Sequence, residues 1–173
     1  MEIRALETTD RAAVERFVAR VPEGDRTFFK EDVEAPEVLA AWTEPGTPHA
    51  VAVEAGEVVG YVAVVPLHGW SSHVGEVRVI VDPDRRGRGI GRALARRALI
   101  EAVGLDLRKL VVEVVADQEP TIAMFRSLGF EPEALLTDHV RDRSGALRDL
   151  MILAHTVEEQ WASLVVAGIA DEL

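Results

Sequence analysis

The stretch that most constrains this chain is DPDRRGRGIGRAL, residues 82–94, which holds three glycines and four arginines in thirteen positions. It follows the β-rich run VGEVRVIV and opens a run whose apolar residues have helical spacing through Val103. The first N–H groups of a helix lack partners and carry partial positive charge, and glycine removes the Cβ atoms that would keep an anion away. The stretch therefore predicts a strand, a turn and a helix whose N-terminus binds an anion.

Three glycine-rich phosphate-binding patterns can be compared with this stretch. A dinucleotide fingerprint, G-x-G-x-x-G, needs its third glycine at position 92 or 94, where the sequence has Arg92 and Leu94. A P-loop, G-x-x-x-x-G-K-[ST], occurs nowhere in the chain. The pattern [Q/R]-x-x-G-x-[G/A] fits at every position of Arg86-Gly87-Arg88-Gly89-Ile90-Gly91. Only the third pattern is compatible with the sequence.

The charge distribution narrows the class of ligand. The chain has 173 residues and a net charge of −11, which argues against nucleic acid as a partner. Six of its nineteen Lys and Arg residues nevertheless fall between Arg85 and Arg97. A basic island in an acidic protein suggests a small anionic ligand. The alternative is a solvated helix face that is rich in arginine.

The absence of cysteine excludes disulfides, zinc–thiolate sites and a cysteine nucleophile. The five histidines show no metal-ligand spacing, so no metal is expected. The N-terminus carries charges where a signal peptide needs an apolar run, and no stretch approaches the roughly 20 apolar residues of a membrane span. We therefore expect a single cytoplasmic domain that does not enter a membrane.

The rest of the chain alternates between strand and helix patterns. The strand patterns before the glycine turn lie at residues 2–6 and in a hairpin at 49–66, with a helix at 8–21 between them. After it come the strand KLVVEVVA, the helix PTIAMFRSLGF ended by Gly129, and strands at 134–141 and 147–154. The order predicts an α/β fold with mixed strand directions, because a strand–helix–strand unit implies a parallel pair.

Two segments of the chain resemble landmarks of one known family. The run VRVIVDPDRRGRGIGRALARRAL resembles motif A of the GNAT N-acetyltransferase superfamily. The run QEPTIAMFRSLGFEPE is similar to its second landmark, N-x-x-A-x-x-x-Y-x-x-x-G-F. The resemblance spans residues 2–155. It implies a mixed antiparallel and parallel central sheet flanked by helices.

The domain organisation expected from this resemblance has two parts. Residues 1–155 form the acyl-CoA-binding acetyltransferase domain. Residues 156–173 form an extra C-terminal helix, since Thr156 and Glu159 make a capping box. That helix either packs on the domain itself or forms the contact of a homodimer.

The resemblance implies acetyl-CoA, or a related acyl-CoA, as co-substrate. Its pyrophosphate would bind the N–H groups of the glycine turn, and its acyl carbonyl would accept a hydrogen bond from the strand that ends at Val81. The arginines of the turn complement the charge of the pyrophosphate. The residues expected at the cofactor are Val79, Ile80, Val81, Arg86, Gly87, Arg88, Gly89, Ile90, Gly91, Arg92, Gln118 and Phe125.

Amine acetylation needs a neutral nitrogen, so a general base is expected. In the family that this chain resembles, the base is often a glutamate on the strand before the glycine turn, which points to Glu76. Its burial would raise its pKa, whereas the alternative is an ion pair with Arg78. The other candidates are His73 and His68, in the loop before the strand, and His139, because histidine titrates near neutral pH.

The position of the family's proton donor is where this sequence departs from the pattern. The tyrosine that protonates the leaving thiolate aligns with Phe125, and the landmark's asparagine aligns with Gln118. Ser127 is a weaker candidate donor. The departure leaves two functions open: an N-acetyltransferase that acts by direct transfer in a ternary complex, or a non-catalytic acyl-CoA-binding or sensing module with a degenerate active site.

The acceptor is expected to be a primary amine of a small molecule or a peptide. Acidic residues between the first helix and the hairpin would attract such a cation, or are simply solvated: Glu31, Asp32, Glu34 and Glu37. Trp70 either lines the acceptor pocket or anchors its loop to the core.

Overall fold

The computed structural model describes residues 1–26, 29–44 and 48–157. The strands are β1 (Glu2–Ala5), β2 (His49–Glu54), β3 (Glu57–Pro66), β4 (Val74–Val81), β5 (Lys109–Val115), β6 (Glu131–Arg141) and β7 (Leu147–Thr156). The helices are α1 (Arg11–Arg20), α2 (Glu23–Arg26), α3 (Pro36–Trp42), α4 (Ile90–Gly104) and α5 (Glu119–Arg126).

The strands of the described residues form one sheet in the order β1-β2-β3-β4-β5-β7-β6. Only the pair β4–β5 in this sheet is parallel, and the other neighbours are antiparallel. The parallel pair is joined through α4, as the strand–helix–strand pattern predicts. The mixed sheet flanked by helices is therefore confirmed.

Two apolar layers cover the two faces of the sheet. α4 and α5 pack on one face, with Leu94 and Phe125 almost fully buried. α1 and α3 pack on the other face, around Phe17 and Trp42. α4 approaches closely because β3 has Gly60 beneath it: a Cβ there would lie 2.7 Å from Leu94 Cδ1.

Two predictions have a different outcome at the edges of the fold. Trp70 is 96% exposed on a short turn between β3 and β4, so it neither anchors its loop nor lines a pocket of the described structure. Thr156 is the last residue of β7, and most of the C-terminal helix predicted over 156–173 lies outside the described residues. None of the helices described here has the length and apolar character needed to cross a membrane.

Candidate active site

The site begins where two parallel strands separate. β4 and β5 pair from Val74 with Lys109 as far as Glu76 with Val111. Beyond that point β4 stays in register with β3 up to Val81, while β5 pairs with β7 only. A gap therefore opens in the sheet between the C-terminal halves of β4 and β5.

The register decides which main-chain groups of β4 face this gap. The N–H group of Asp82 donates to the carbonyl of Val59 (3.0 Å), so the even-numbered positions of β4 bond to β3. The odd-numbered positions point the other way, towards β5. Val79 and Val81 lie beyond the last β4–β5 pair, so their N–H groups point into the gap.

Ile80, which the sequence also places at the cofactor, differs from Val79 and Val81 because it faces away from the gap. It pairs with Tyr61 of β3, and its buried side chain packs in the layer under α1 and α3. The reason is that successive residues of a strand alternate. Their N–H groups face opposite edges of the strand, and their side chains lie on opposite faces of the sheet. The strand thus offers Val79 and Val81 to a ligand.

A cleft of about 410 Å³ occupies the gap and the space beside it. Apolar side chains of β4 and β5 form its middle, and charged side chains lie around it. The lining residues are Lys30, Val77, Arg78, Val79, Val112, Glu113, Val114, Val115, Gln118, Thr121, Phe125, His139, Val140, Arg141 and Leu150.

The glycine turn brings the N-terminus of α4 close to β4. Gly87 and Gly89 have φ values of 75° and 81°, a left-handed conformation that glycine adopts without steric strain. A Cβ at either position would meet no atom within 4 Å, so there is open space before the turn. The first main-chain bond of the helix joins Ala93 N–H to the Gly89 carbonyl (3.0 Å), and the N–H groups from Gly89 to Arg92 thus have no helical acceptor.

These features fit a pyrophosphate group. Such a group needs several converging N–H donors, no Cβ atoms in its path and positive charge nearby. Ile90 and Gly91 form the first turn of α4 and contribute N–H groups to this set. The turn therefore has the donors and the open space that a phosphate group needs.

Acidic side chains hold the arginines of the turn. Arg86 Nη2 lies 2.7 Å from Asp25 Oδ2. The Nη1 atoms of Arg85 and Arg88 lie 3.4 and 3.3 Å from Glu54 Oε2. The side chains of Arg86 and Arg88 are half exposed, so both pairs can open towards an anion.

Two further arginines of α4 differ in their surroundings. Arg92 is exposed on the first turn of the helix, beside the candidate phosphate site. Arg97 pairs with Glu101 one turn later, as the i,i+4 spacing predicts. Arg97 is therefore a structural residue and a useful control for the others.

A network of ion pairs holds Glu76 at the edge of the cleft. Arg78 Nε lies 3.2 Å and Lys30 Nζ 2.5 Å from Glu76 Oε1. Lys30 Nζ also lies 2.5 Å from Glu113 Oε2, and Arg78 Nη1 lies 2.6 Å from Glu31 Oε1. Lys30, Arg78 and Glu113 line the cleft, whereas the side chain of Glu76 is only 12% exposed and is covered by its two cationic partners.

These contacts determine the pKa of Glu76. Burial acts to raise this pKa, but hydrogen bonds from Arg78 and Lys30 outweigh burial and hold it below the ordinary value of 4.5. The expectation of a raised pKa is therefore wrong, and the alternative expectation of a pair with Arg78 is confirmed. Glu76 is ionised at neutral pH and can accept a proton.

Two of the acidic residues that precede the hairpin, Glu31 and Glu34, are engaged within the protein. Glu31 accepts a hydrogen bond from Trp42 Nε1 (2.6 Å) in addition to its pair with Arg78. Glu34 Oε1 lies 3.0 Å from both Arg26 and Arg143. These two carboxylates are thus neutralised by neighbours, and neither lines the cleft.

The histidines that were considered as bases lie in different places. His73 is exposed at the start of β4, four residues or about 13 Å along the strand from the first cleft residue, Val77. His68 is exposed in the loop before β4. His139 lines the cleft and lies where the pairing of β6 with β7 is interrupted, between Leu136 and Val140. The structure therefore brings His139, and not His73 or His68, to the site.

Phe125 of α5 and Gln118, the residue that caps the start of this helix, both line the cleft. The ring of Phe125 is buried and packs edge-on against Phe130, with 5.1 Å between the ring centroids. Ser127 donates to the carbonyl of Met124 (2.6 Å) and does not line the cleft. Phe125 thus occupies this wall of the cleft without a hydroxyl group.

Three charged residues of the cleft were not predicted: Lys30, Glu113 and Arg141. A signal for Glu113 was present, since it stands alone among valines in LVVEVVA. Lys30 and Arg141 had no such signal, because loop and hairpin residues reach the cleft only through the tertiary fold. No cluster of three or more candidate metal ligands occurs in the part of the chain that is described.

Comparisons with known proteins agree with this geometry. The sequence matches the family described as Acetyltransferase (GNAT) family over residues 15–130. N-acetyltransferase YjgM of Escherichia coli (strain K12) is 28% identical over 135 residues, which are 75% of this chain and 81% of that protein.

Solved structures show the same fold. The ribosomal-protein-alanine N-acetyltransferase of Brucella melitensis superimposes with a TM-score of 0.80 at 28% identity, over 90% of this chain and 99% of that one. The yncA protein of Salmonella typhimurium, solved with its cofactor acetyl-CoA, has a TM-score of 0.77 over 90% and 93% of the two chains. At 23% identity, that likeness is one of fold.

The split sheet, the glycine turn and the similar structures together define an acetyltransferase. The chain belongs to the GNAT acetyltransferase family.

Proposed function

We propose that this protein transfers an acetyl group from acetyl-CoA directly to a primary amine, within a ternary complex. The observation that carries the proposal is the gap between β4 and β5, into which the N–H groups of Val79 and Val81 point and where Val79 lines the cleft. Membership of the family and the N-acetyltransferases among its relatives support the same reaction. A chain without cysteine lacks the commonest residue for an acyl-enzyme route, which favours direct transfer.

The glycine turn is the proposed site for the pyrophosphate of the donor. Its N–H groups and the N-terminal charge of α4 provide the donors and the positive field. Arg86 and Arg88 would exchange Asp25 and Glu54 for the phosphates. Exposed ion pairs contribute only about 0–1 kcal/mol, so this exchange is easy.

The thioester of acetyl-CoA supplies the activated acyl group, and β4 supplies the contact that activates it further. The N–H group of Val79 or Val81 would donate to the acyl oxygen, where negative charge develops during attack. A fixed donor in a narrow cleft stabilises that charge better than water does. The side chains of β4 are not required for this role.

Glu76 is the proposed general base. An alkyl ammonium has a pKa near ~10.4, so the acceptor must lose a proton before or during attack. The carboxylate of Glu76 is ionised and lies where β4 and β5 begin to separate. His139 and Glu113 line the same cleft and are the alternatives that mutation must exclude.

The thiol of CoA can leave although Phe125 has no proton to donate. A thiol has a pKa near ~8.5, so a thiolate is an acceptable leaving group and water can protonate it. Phe125 instead forms an apolar wall beside β5. The reaction therefore remains feasible without the tyrosine of the family pattern.

The donor site is tested by thermal unfolding of the native protein and the variant Arg86→Ala/Arg88→Ala, each with and without acetyl-CoA. A ligand at about 100 times its Kd adds roughly 2.7 kcal/mol to the free energy of unfolding. We expect this gain in the native protein and a clearly smaller one in the double variant. Arg97→Ala is the matched control, because Arg97 lies on α4 after the turn and pairs with Glu101, and it should behave as the native protein does. Absence of any gain in the native protein would overturn the proposal.

One observation favours a second candidate, a non-catalytic acyl-CoA-binding module. Phe125 lines the cleft without a proton-donating group. CoA release in the presence of a panel of primary amines separates the two functions, because only a transferase turns over. Binding of acetyl-CoA without CoA release from any amine would support the binding module.

A further inference from the structure

Lys30 has a position in the cleft that the proposed reaction does not use. Its Nζ atom lies 2.5 Å from Glu76 Oε1 and 2.5 Å from Glu113 Oε2. The side chain comes from the loop after α2, where Lys30 has a left-handed φ of 63°. Such a φ is uncommon for a residue other than glycine, so the fold holds Lys30 in place against a local preference.

The two carboxylates flank the point where the strands separate. Glu76 pairs with Val111 in the last β4–β5 pair, and Glu113 lies two residues after Val111 on β5. The N–H groups of Val79 and Val81 face the same gap. A nitrogen between the two carboxylates therefore lies at the start of the gap into which these N–H groups point.

The two carboxylates, Glu76 and Glu113, need a cation between them. Arg78 contacts Glu76, but Lys30 is the only cationic side chain in contact with Glu113 among the described residues. Two carboxylates that share one site repel each other unless a positive group lies between them. If the ammonium of Lys30 leaves, another ammonium must replace it or the repulsion returns.

We propose that Lys30 is a specificity-determining residue, whose ammonium occupies the subsite that the acceptor's primary ammonium takes between Glu76 and Glu113. The inference rests on the proposed acyl transfer in this cleft. An acceptor enters by exchanging its ammonium for that of Lys30, which uncovers Glu76 as well. The subsite thus selects a primary ammonium group, and Lys30 competes with every acceptor.

The competition is tested by steady-state kinetics with n-butylamine as acceptor and CoA release as readout. Lys30→Met removes the competing ammonium but keeps the length of the side chain, whereas Lys30→Arg keeps the positive charge. We expect Lys30→Met to lower the KM for n-butylamine about ten-fold, the factor for a subsite that Lys30 fills about nine-tenths of the time. The KM for acetyl-CoA should not change, and Lys30→Arg should stay near the native KM for n-butylamine.

A second variant and a second measurement complete the test. When Glu113→Gln is added to Lys30→Met, the KM for n-butylamine should rise most of the way back to the native value. Without turnover, n-butylammonium chloride should raise the unfolding midpoint of Lys30→Met more than that of the native protein, with sodium chloride at equal ionic strength as the reference. An unchanged or higher KM in Lys30→Met, or equal stabilisation of both proteins, would overturn the inference. Loss of turnover in all variants with the stabilisation preserved would instead count against the proposed function alone.

Discussion

At the scale of single residues, the protonation state of Glu76 is set by its ion pairs and not by burial alone. Arg78 and Lys30 keep the carboxylate charged, so it is available as a proton acceptor at any pH at which an amine reacts. The same partners cover it and weaken it as a base. A carboxylate of this kind becomes effective when the acceptor's own ammonium takes the place of one partner.

Replacing Glu76 by Gln should lower kcat by about 100-fold or more, because general base catalysis contributes about that much. The KM for acetyl-CoA should change little, since the donor site lies at the other end of β4. The lowered pKa also sets the pH dependence: Glu76 loses its charge only as the pH falls below about 4.5, so it produces no loss of kcat/KM nearer to neutral pH. Profiles of kcat/KM against pH for the native enzyme and Glu76→Gln measure both effects.

His139 provides the contrasting outcome for that experiment. An acid limb of the kcat/KM profile that is present in the native enzyme and absent from His139→Ala would assign the base to His139. Retention of most activity in Glu76→Gln would exclude Glu76 as the base and leave His139 and Glu113 as the candidates. Glu113→Gln serves as the variant that removes a carboxylate from the same cleft while leaving Glu76 in place.

At the scale of the elements, the glycine turn combines two demands that one residue type satisfies. Gly89 must adopt a φ of 81° to start α4, and its lack of a Cβ leaves room for a ligand. Gly89→Ala should lower the free energy of unfolding by about 1 kcal/mol, the usual penalty for a Cβ in this conformation. It should also weaken the binding of acetyl-CoA, which urea unfolding with and without the ligand measures.

Gly104 is the matched control at the other end of the same helix. A Cβ there would meet no atom within 4 Å, and φ is not in the left-handed region. Gly104→Ala should therefore raise the free energy of unfolding by roughly 0.5–1 kcal/mol and leave acetyl-CoA binding unchanged. Equal effects of the two substitutions would show that the turn has no special conformational or ligand requirement.

At the scale of the whole molecule, the sequence predicts what is local and misses what the fold brings together. The strand, turn and helix around Gly87, Gly89 and Gly91 follow from neighbouring residues, so they were predictable. The contact of Lys30 with Glu113 joins positions 83 residues apart, which no local pattern encodes. The orientation of Ile80 could not be predicted from the sequence either, because it depends on which strand pairs with which edge of β4.

The split of the sheet gives a prediction that concerns the molecule as a whole. The strands β1 to β4 and β5 to β7 are joined within the sheet by only the short β4–β5 pairing, so a ligand in the gap would connect the two halves. In the free protein, the amide hydrogens of Val79 and Val81 should exchange with solvent faster than those of Arg78 and Ile80, which bond to β3. Acetyl-CoA should slow the exchange at Val79 or Val81 by about ten-fold or more and leave Arg78 and Ile80 almost unchanged, because those two amides are already protected.

Amide exchange followed residue by residue by NMR makes this measurement, with CoA lacking the acetyl group as the control. Slowing by acetyl-CoA at none of these positions, or at Arg78 and Ile80 only, would show that the acyl group does not bind in the gap.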